Sequence, residues 1–154
     1  MKLSQNRIQE IREHARIINK SLGTINEPDL DKIAEYLREL GYKFTIGTMP
    51  FDEVQYEYKI KYNDDCDISN AKSMIVKRKN KYIITINKNG GNKAKRLWIA
   101  HALGHIVLGH LTKKVDGRLC LLDWGELLAI NSEEEYYIQE VEATIFALEL
   151  IIPR

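Results

Sequence analysis

His101 and His105 are the residues whose type and spacing most directly suggest chemistry. They lie four positions apart, about one turn of an α-helix, so both imidazoles would project from the same helix face. Two neutral imidazole nitrogens on such a support can bind one zinc ion. The flanking residues Ile99, Leu103 and Ile106 are apolar, and imidazoles buried among them need polar partners. A metal ion would be that partner for both rings; the alternative is a pair of core histidines with ordinary hydrogen bonds.

Ala102 occupies the position at which a hydrolytic zinc site of this spacing carries its base. In the pattern His-Glu-x-x-His, the glutamate after the first histidine is the general base. Here the segment reads His101-Ala102-Leu103-Gly104-His105. Loss of a general acid–base group typically costs about 10²- to 10⁴-fold in rate. The sequence therefore predicts a metal site that lacks the usual catalytic carboxylate.

An open zinc site needs a third protein ligand. His110 follows His105 by five residues, which on a continuing helix rotates it roughly 140° away. The last predicted helix offers acidic candidates, first Glu140 and Glu142 and then Glu149. Spacing alone does not choose between Glu140 and Glu142.

Length and composition bound the possible functions. The chain has 154 residues, of which 44% are hydrophobic and 29% charged, with a formal net charge of +1. These values predict one globular domain over 1–154 and offer no electrostatic argument for direct nucleic-acid binding. The sequence has neither an apolar run of membrane-spanning length nor the apolar core of a signal peptide. Cys66 and Cys120 match no zinc-finger spacing, so we expect two reduced thiols and a cytoplasmic location.

Three stretches are predicted to position the histidines: a helical lead-in over 1–41, a small sheet over 42–87 and metal-site helices over 92–153. In the lead-in, apolar residues at three- and four-residue steps predict a helix over 4–22 that begins at an N-cap, Ser4. A second helix opens at Glu27-Pro28-Asp29 and stops at Gly41, and its buried stripe is predicted to comprise Leu30, Ile33, Ala34, Leu37 and Leu40.

Alternating residues predict the strands of the small sheet. A first strand over 42–46 closes at 47–50, and a second runs over 54–62. The segments 74–77 and 82–87 read as the two strands of a hairpin.

The last third of the chain is predicted to carry the two metal-site helices. Asn92 is the predicted cap of the helix that bears the histidines. A short apolar piece follows at 119–122, and Ser132 begins a capping box for the final helix, which runs to about Ile152.

The order of these features resembles the ImmA/IrrE family of zinc metallopeptidases. A hairpin, Asn87, Arg96, the His-x-x-x-His segment and a long loop precede the final stretch Glu140–Pro153. Family sequences typically show an arginine, a few apolar residues, Ala-His-Glu-Leu-Gly-His, and later Glu-x-x-Ala-Asn-x-Phe-Ala-x-x-Leu-Leu-x-Pro. The resemblance covers about residues 74–153, which is half of the chain.

The resemblance implies an α+β, zincin-like single domain in which a small antiparallel sheet lies beside two metal-bearing helices. Carried over by position, it implies that His101, His105 and Glu140 are the zinc ligands. Thr144 stands where the family has an asparagine or aspartate, and this replacement is expected to weaken the orientation of a ligand histidine. Glu142 is a further candidate for orienting the ligands.

The resemblance also implies a function, from which Ala102 departs. Family members are cytoplasmic, are often encoded beside helix-turn-helix repressors, and several cleave such a repressor to release phage, mobile-element or stress genes. The implied partner is therefore a protein, with no membrane and no direct nucleic-acid contact. Two explanations of Ala102 stay open: an engineered Glu→Ala substitution that silences an enzyme, which the otherwise intact motif favours, or a natural pseudopeptidase. The second would be an antirepressor or a toxin–antitoxin type module that binds a protein without cutting it.

Overall fold

A computed structural model describes residues 3–23, 27–53, 70–120, 126, 129 and 133–152. The helices and strands of these residues follow in chain order as α1 (Gln5–Ser21), α2 (Leu30–Glu39), β1 (Lys43–Met49), β2 (Ser73–Arg78), β3 (Lys81–Asn87), α3 (Asn92–Val107), β4 (Val115–Cys120) and α4 (Glu135–Ile151). All four of these helices and the three strands β1 to β3 contribute to one main cluster of buried apolar side chains. The predicted α+β, zincin-like fold is confirmed.

The sheet has the strand order β1-β3-β2-β4. β2 is antiparallel to β3 and to β4, whereas β1 runs parallel to β3, from Lys43 beside Lys81 to Met49 beside Asn87. The sheet is therefore mixed, and the prediction of a purely antiparallel sheet is wrong in this respect. Parallel neighbours need a long connection, here the residues between β1 and β3, so local alternation does not reveal them.

The predicted hairpin is present as β2 and β3. Lys79 and Asn80 connect the two strands, and Lys79 has a φ of 57°, as the favoured two-residue hairpin turns require. β1 is longer than predicted, because Gly47 pairs with Thr85 and the strand continues to Met49. The strand predicted over 54–62 lies outside the described residues.

Both predicted N-terminal helices form, and the first has its predicted N-cap. The Ser4 hydroxyl accepts a hydrogen bond of 3.1 Å from the backbone N–H of Arg7, and Asp29 caps α2. The buried stripe of α2 is shorter than predicted. Leu40 is 58% exposed, because α2 ends at Glu39 and Leu40 lies beyond the last helical turn.

The starts of α3 and α4 differ from the sequence prediction. Gly91 is the N-cap residue of α3, so the prediction that Asn92 caps this helix is wrong. The turn before α3 packs directly on Trp98, where a Cβ at Gly90 would come within 2.4 Å of the indole, and the helix begins immediately after this contact. α4 has Glu134 at its N-cap, whereas Ser132 of the predicted capping box lies outside the described residues.

Close packing of α3 against α4 brings their polar side chains together. Gly104 lies in this contact, and a Cβ there would be 3.0 Å from the carbonyl oxygen of Ala143 and 3.1 Å from Cδ1 of Phe146. The missing side chain lets the helices approach closely. α1 packs along α4 as well. Within the described residues, no helix combines the length and apolarity needed to cross a membrane.

Candidate metal centre

The three residues that the sequence proposes as metal ligands meet in the protein interior. His101 and His105 come from α3 and Glu140 comes from α4, and their ligand atoms all lie within 4.8 Å of one another. The three residues are 1%, 1% and 2% exposed, respectively. The centre is therefore shielded from bulk water, and the polar atoms in it must satisfy one another or a bound ion.

The Nε2 atoms of the two histidines lie next to each other, and each is close to one oxygen of the Glu140 carboxylate. Nε2 of His101 is 3.1 Å from Nε2 of His105 and 2.9 Å from Oε2 of Glu140. Oε1 of Glu140 lies 2.9 Å from Nε2 of His105. This last contact has the distance but not the direction of a hydrogen bond, so buried Oε1 has no hydrogen-bond partner among the described residues.

Thr144 fixes the proton on the far side of the His101 ring. The Thr144 hydroxyl donates to the backbone carbonyl of Glu140 over 2.9 Å, so it acts as an acceptor toward His101. Nδ1 of His101, 3.1 Å from that hydroxyl, is therefore the donor. In a neutral ring the proton on Nδ1 leaves a lone pair on Nε2, directed at the centre.

A chain of hydrogen bonds fixes the proton on His105 in the same manner. Nε2 of His110 is 2.8 Å from Oε1 of Glu142, and a carboxylate only accepts, so His110 donates through Nε2. Nδ1 of a neutral His110 is then an acceptor for Nδ1 of His105, 2.8 Å away. Nε2 of His105 consequently also presents a lone pair to the centre.

These residues fit a divalent metal ion. Two nitrogen lone pairs at 3.1 Å from each other, beside a carboxylate with an unpartnered oxygen, repel one another unless a cation lies among them. Two imidazole nitrogens and one carboxylate form a donor set that transition metals bind in catalytic sites. The outer hydrogen bonds from Thr144 and His110 leave both rings in the tautomer that a metal requires.

A proton takes the place of the cation when the metal is absent. Burial lowers the pKa of His101, but hydrogen bonds to Cys120 and Glu140 outweigh it and raise the pKa to about 10. Burial lowers the pKa of His105 to about 4, although Glu140 acts in the opposite direction. Burial raises the pKa of Glu140, yet the two histidines lower it well below its usual range. In the metal-free centre a proton therefore favours His101 over His105.

Ala102 is fully buried, at 0% exposure, and belongs to the main apolar cluster. The position at which the motif places a general base thus holds a methyl group. A glutamate at this position would need a partner for its charge, because an unpaired charge in the apolar cluster would be strongly unfavourable.

His110 contacts the centre in a way that the sequence pattern did not indicate. The sequence prediction assumed a continuing helix, but α3 ends at Val107 and Gly109 adopts a φ of 71°. The chain turns back there, and the ring of His110 packs against His105 rather than joining the metal ligands. A glycine directly after an apolar helix is a known C-terminal signal and would have revealed this turn.

The remaining acidic candidates lie outside the ligand group. Glu142 binds His110 and Arg7, whereas Glu149 pairs with Arg16 over 2.7 Å. The contacts of Arg7 with Glu142 and of Cys120 with His101 had no local signal in the sequence, because each joins distant elements.

Comparison with protein families agrees with this geometry. The sequence model of the IrrE N-terminal-like domain, also called Peptidase_M78, matches residues 62–154. The matched residues are more than half of the chain and include both candidate ligand histidines and Glu140. The chain belongs to the IrrE N-terminal-like domain family. Neither the curated proteins nor the solved structures that were compared gave a significant match.

The IrrE N-terminal-like assignment confirms the family resemblance seen in the motifs. It makes this a metallopeptidase-like domain of a metal-dependent family. The matched residues begin after α1, α2 and β1 in the chain. α1 nevertheless supplies Arg7, which binds the Glu142 carboxylate next to the centre.

Proposed function

We propose that this protein is a zinc-dependent endopeptidase of the IrrE type that acts in the cytoplasm on a regulatory protein, such as a helix-turn-helix repressor. We further propose that Ala102 deprives this chain of the general base. The observation that carries the proposal is the convergence of two Nε2 atoms and one carboxylate in a buried centre. Family membership supports the peptidase class.

His101, His105 and Glu140 would hold the ion. When bound, zinc supplies a Lewis acid that polarises the carbonyl of a scissile peptide bond. Thr144 and His110 keep the two imidazoles in the required tautomer and orientation through hydrogen bonds of 3.1 and 2.8 Å. The low exposure of all three ligands strengthens the electrostatic interactions within the centre, because little water screens them.

The side chain of Ala102 limits what the centre can catalyse. Peptide hydrolysis needs a group that takes a proton from the attacking water and passes one to the leaving amine. A methyl group does neither. We therefore expect hydrolysis to be about 10²- to 10⁴-fold slower than in the same protein with glutamate at this position.

The second candidate function is that of a non-catalytic binding module, such as an antirepressor or a toxin–antitoxin partner. The observation that favours it is the complete burial of Ala102, whose methyl group packs in the main apolar cluster as an ordinary core residue. In this function zinc would link α3 to α4, and the protein would bind a repressor without cleaving it.

The decisive experiment restores the missing carboxylate. The unchanged protein, Ala102→Glu and Ala102→Gln are each loaded with zinc and incubated with the repressor encoded beside the gene. Glutamine matches glutamate in size but is not a base, so it controls for the packing of a larger side chain at this position. Zinc content, thermal unfolding and repressor binding are measured for all three proteins.

We expect Ala102→Glu alone to give defined repressor fragments at a readily measured rate, and a chelator to abolish them. An Ala102→Glu protein that folds and binds zinc but leaves the repressor intact would overturn the endopeptidase function. Repressor binding by the unchanged protein, together with that result, would establish the binding module instead.

A further inference from the structure

We infer that Arg7, Glu142 and His110 form a relay of hydrogen bonds that orients His105 and thereby sets the metal affinity of the centre. These three residues are called the Arg7 relay below. They are positioning residues, and through them α1 becomes a functional part of the metal site. The inference rests on the proposed zinc centre and adds Arg7 to it, a residue outside the range 62–154 that the family model matches.

The relay begins with a two-point contact between α1 and α4. Nε of Arg7 donates to Oε2 of Glu142 over 2.6 Å, and Nη2 donates to Oε1 over 3.3 Å. A guanidinium that binds both oxygens of a carboxylate fixes the plane of that carboxylate as well as its position. Glu142 is therefore held in one orientation on the side of α4 that faces His110.

The second step passes from Glu142 to His110. Oε1 of Glu142 accepts a hydrogen bond of 2.8 Å from Nε2 of His110, and both residues are buried. The same carboxylate accepts from the guanidinium of Arg7, so it acts as an acceptor on both sides and keeps the proton of His110 on Nε2.

The third step passes from His110 to the metal ligand. Nδ1 of His110 accepts the N–H of Nδ1 of His105 over 2.8 Å. The backbone also holds His110 in place, because its N–H donates to the carbonyl of His105 over 3.0 Å and its carbonyl accepts from Nη2 of Arg118 over 3.0 Å. The His105 ring cannot turn away from the centre without losing the bond to His110.

A second ion pair between the same helices serves as a control that distinguishes the effect of the Arg7 relay on the metal site from the general packing of α1 on α4. Arg16 of α1 donates to Glu149 of α4 over 2.7 Å, and the Glu149 side chain is as well buried as that of Glu142. Glu149 lies seven residues beyond Glu142, about two helical turns or roughly 10 Å along α4. That distance takes it out of reach of the His110 ring. Arg16 thus provides a matched control for Arg7.

The test measures zinc affinity by competition with a chromophoric chelator, and the absorption spectrum of the protein loaded with Co²⁺. The variants are Arg7→Met, Arg16→Met, His110→Phe and His110→Asn, each in the full chain. Phenylalanine keeps the ring but removes the acceptor for His105. Asparagine places an amide oxygen near the position of Nδ1 and retains an acceptor there. Circular dichroism and thermal unfolding of the metal-free proteins report whether each variant folds.

We expect zinc affinity to fall about 10- to 100-fold in His110→Phe and to recover in large part in His110→Asn. Arg7→Met should weaken zinc binding and change the Co²⁺ spectrum. Arg16→Met should lower the thermal stability to a similar extent as Arg7→Met but leave both metal readouts unchanged.

Three results would overturn the inference. The first is that His110→Phe binds zinc as tightly as the unchanged protein. The second is that Arg16→Met loses as much zinc affinity as Arg7→Met, which would mean that Arg7 acts only through the packing of α1 on α4. In both cases the zinc centre itself would stand. If the unchanged protein bound no zinc at all, the proposed function would fall together with the relay.

Discussion

The Nε2 atoms of His101 and His105 lie 3.1 Å apart in the buried contact between α3 and α4. On the far sides of the rings, Thr144 and His110 lie in position to accept the Nδ1 protons, and in the neutral tautomers this leaves a lone pair on each inward nitrogen. With the Glu140 carboxylate beside them, the two rings form a group that could hold a metal ion. This arrangement also determines which variants weaken metal binding without removing a ligand.

Thr144 should contribute to metal affinity through its hydroxyl. Thr144→Val has nearly the same shape but cannot accept the Nδ1 proton of His101, and we expect it to weaken zinc binding about 10- to 100-fold. Thr144→Asn keeps an acceptor for the Nδ1 proton of His101 and should bind zinc at least as tightly as the unchanged protein. Chelator competition checks both variants. Equal affinities for threonine and valine would show that the hydroxyl does not orient the ring.

Gly104 should be required for the close approach of α3 and α4. In Gly104→Ala the new Cβ meets backbone atoms of Ala143 at 3.0 and 3.2 Å, which cannot move aside alone. We expect a loss of about 1–3 kcal/mol in the free energy of unfolding, together with weaker zinc binding because Glu140 moves with α4. Urea denaturation and chelator competition measure these effects.

Gly47→Ala is the control for Gly104→Ala. Gly47 lies in β1, where an added Cβ meets no atom within 4 Å. This variant should be at least as stable as the unchanged protein, because alanine restricts the unfolded chain more than glycine does. Equal losses in the two glycine variants would argue against a special role for the contact between the helices.

Zinc affinity should increase with pH. The metal-free centre holds a proton on His101, whose pKa is raised to about 10, and zinc must displace that proton. As the pH falls, protons compete more strongly, so the apparent Kd should rise about tenfold for each pH unit in the neutral range. Below about pH 4, His105 takes up a second proton and the dependence should steepen. Competition titrations across the neutral range would reveal the slope, and a Kd independent of pH would contradict the assigned protonation.

Local sequence patterns predicted much of the fold and the two histidines of the centre, whereas the choice of Glu140 over Glu142 came from the family resemblance. Helical periodicity located α1, α2 and α4, and the turn at 79–80 located the hairpin, because each of these signals lies within one element. The parallel pairing of β1 with β3 was not predictable in this way. It depends on a contact between residues 38 positions apart, such as Lys43 and Lys81, and no periodicity within either strand encodes it.

The same limit applies to the residues around the metal ligands. His110 lies close in sequence to His105, but its contact depends on the left-handed conformation of Gly109. Arg7 and Glu142 are 135 positions apart, and their pairing follows from the packing of α1 on α4. Such contacts arise from tertiary structure, so the ligand pattern was visible in the sequence whereas the hydrogen bonds that orient it were not.

The metal content of the purified protein tests the central claim most directly. Elemental analysis of the unchanged chain after zinc loading and removal of free metal should give about one zinc ion per chain. The ion should be lost in His101→Ala and in Glu140→Gln but retained in Glu149→Gln, whose carboxylate pairs with Arg16 outside the ligand group. Absence of zinc from the unchanged protein, or full retention in His101→Ala, would contradict a metal centre formed by His101, His105 and Glu140.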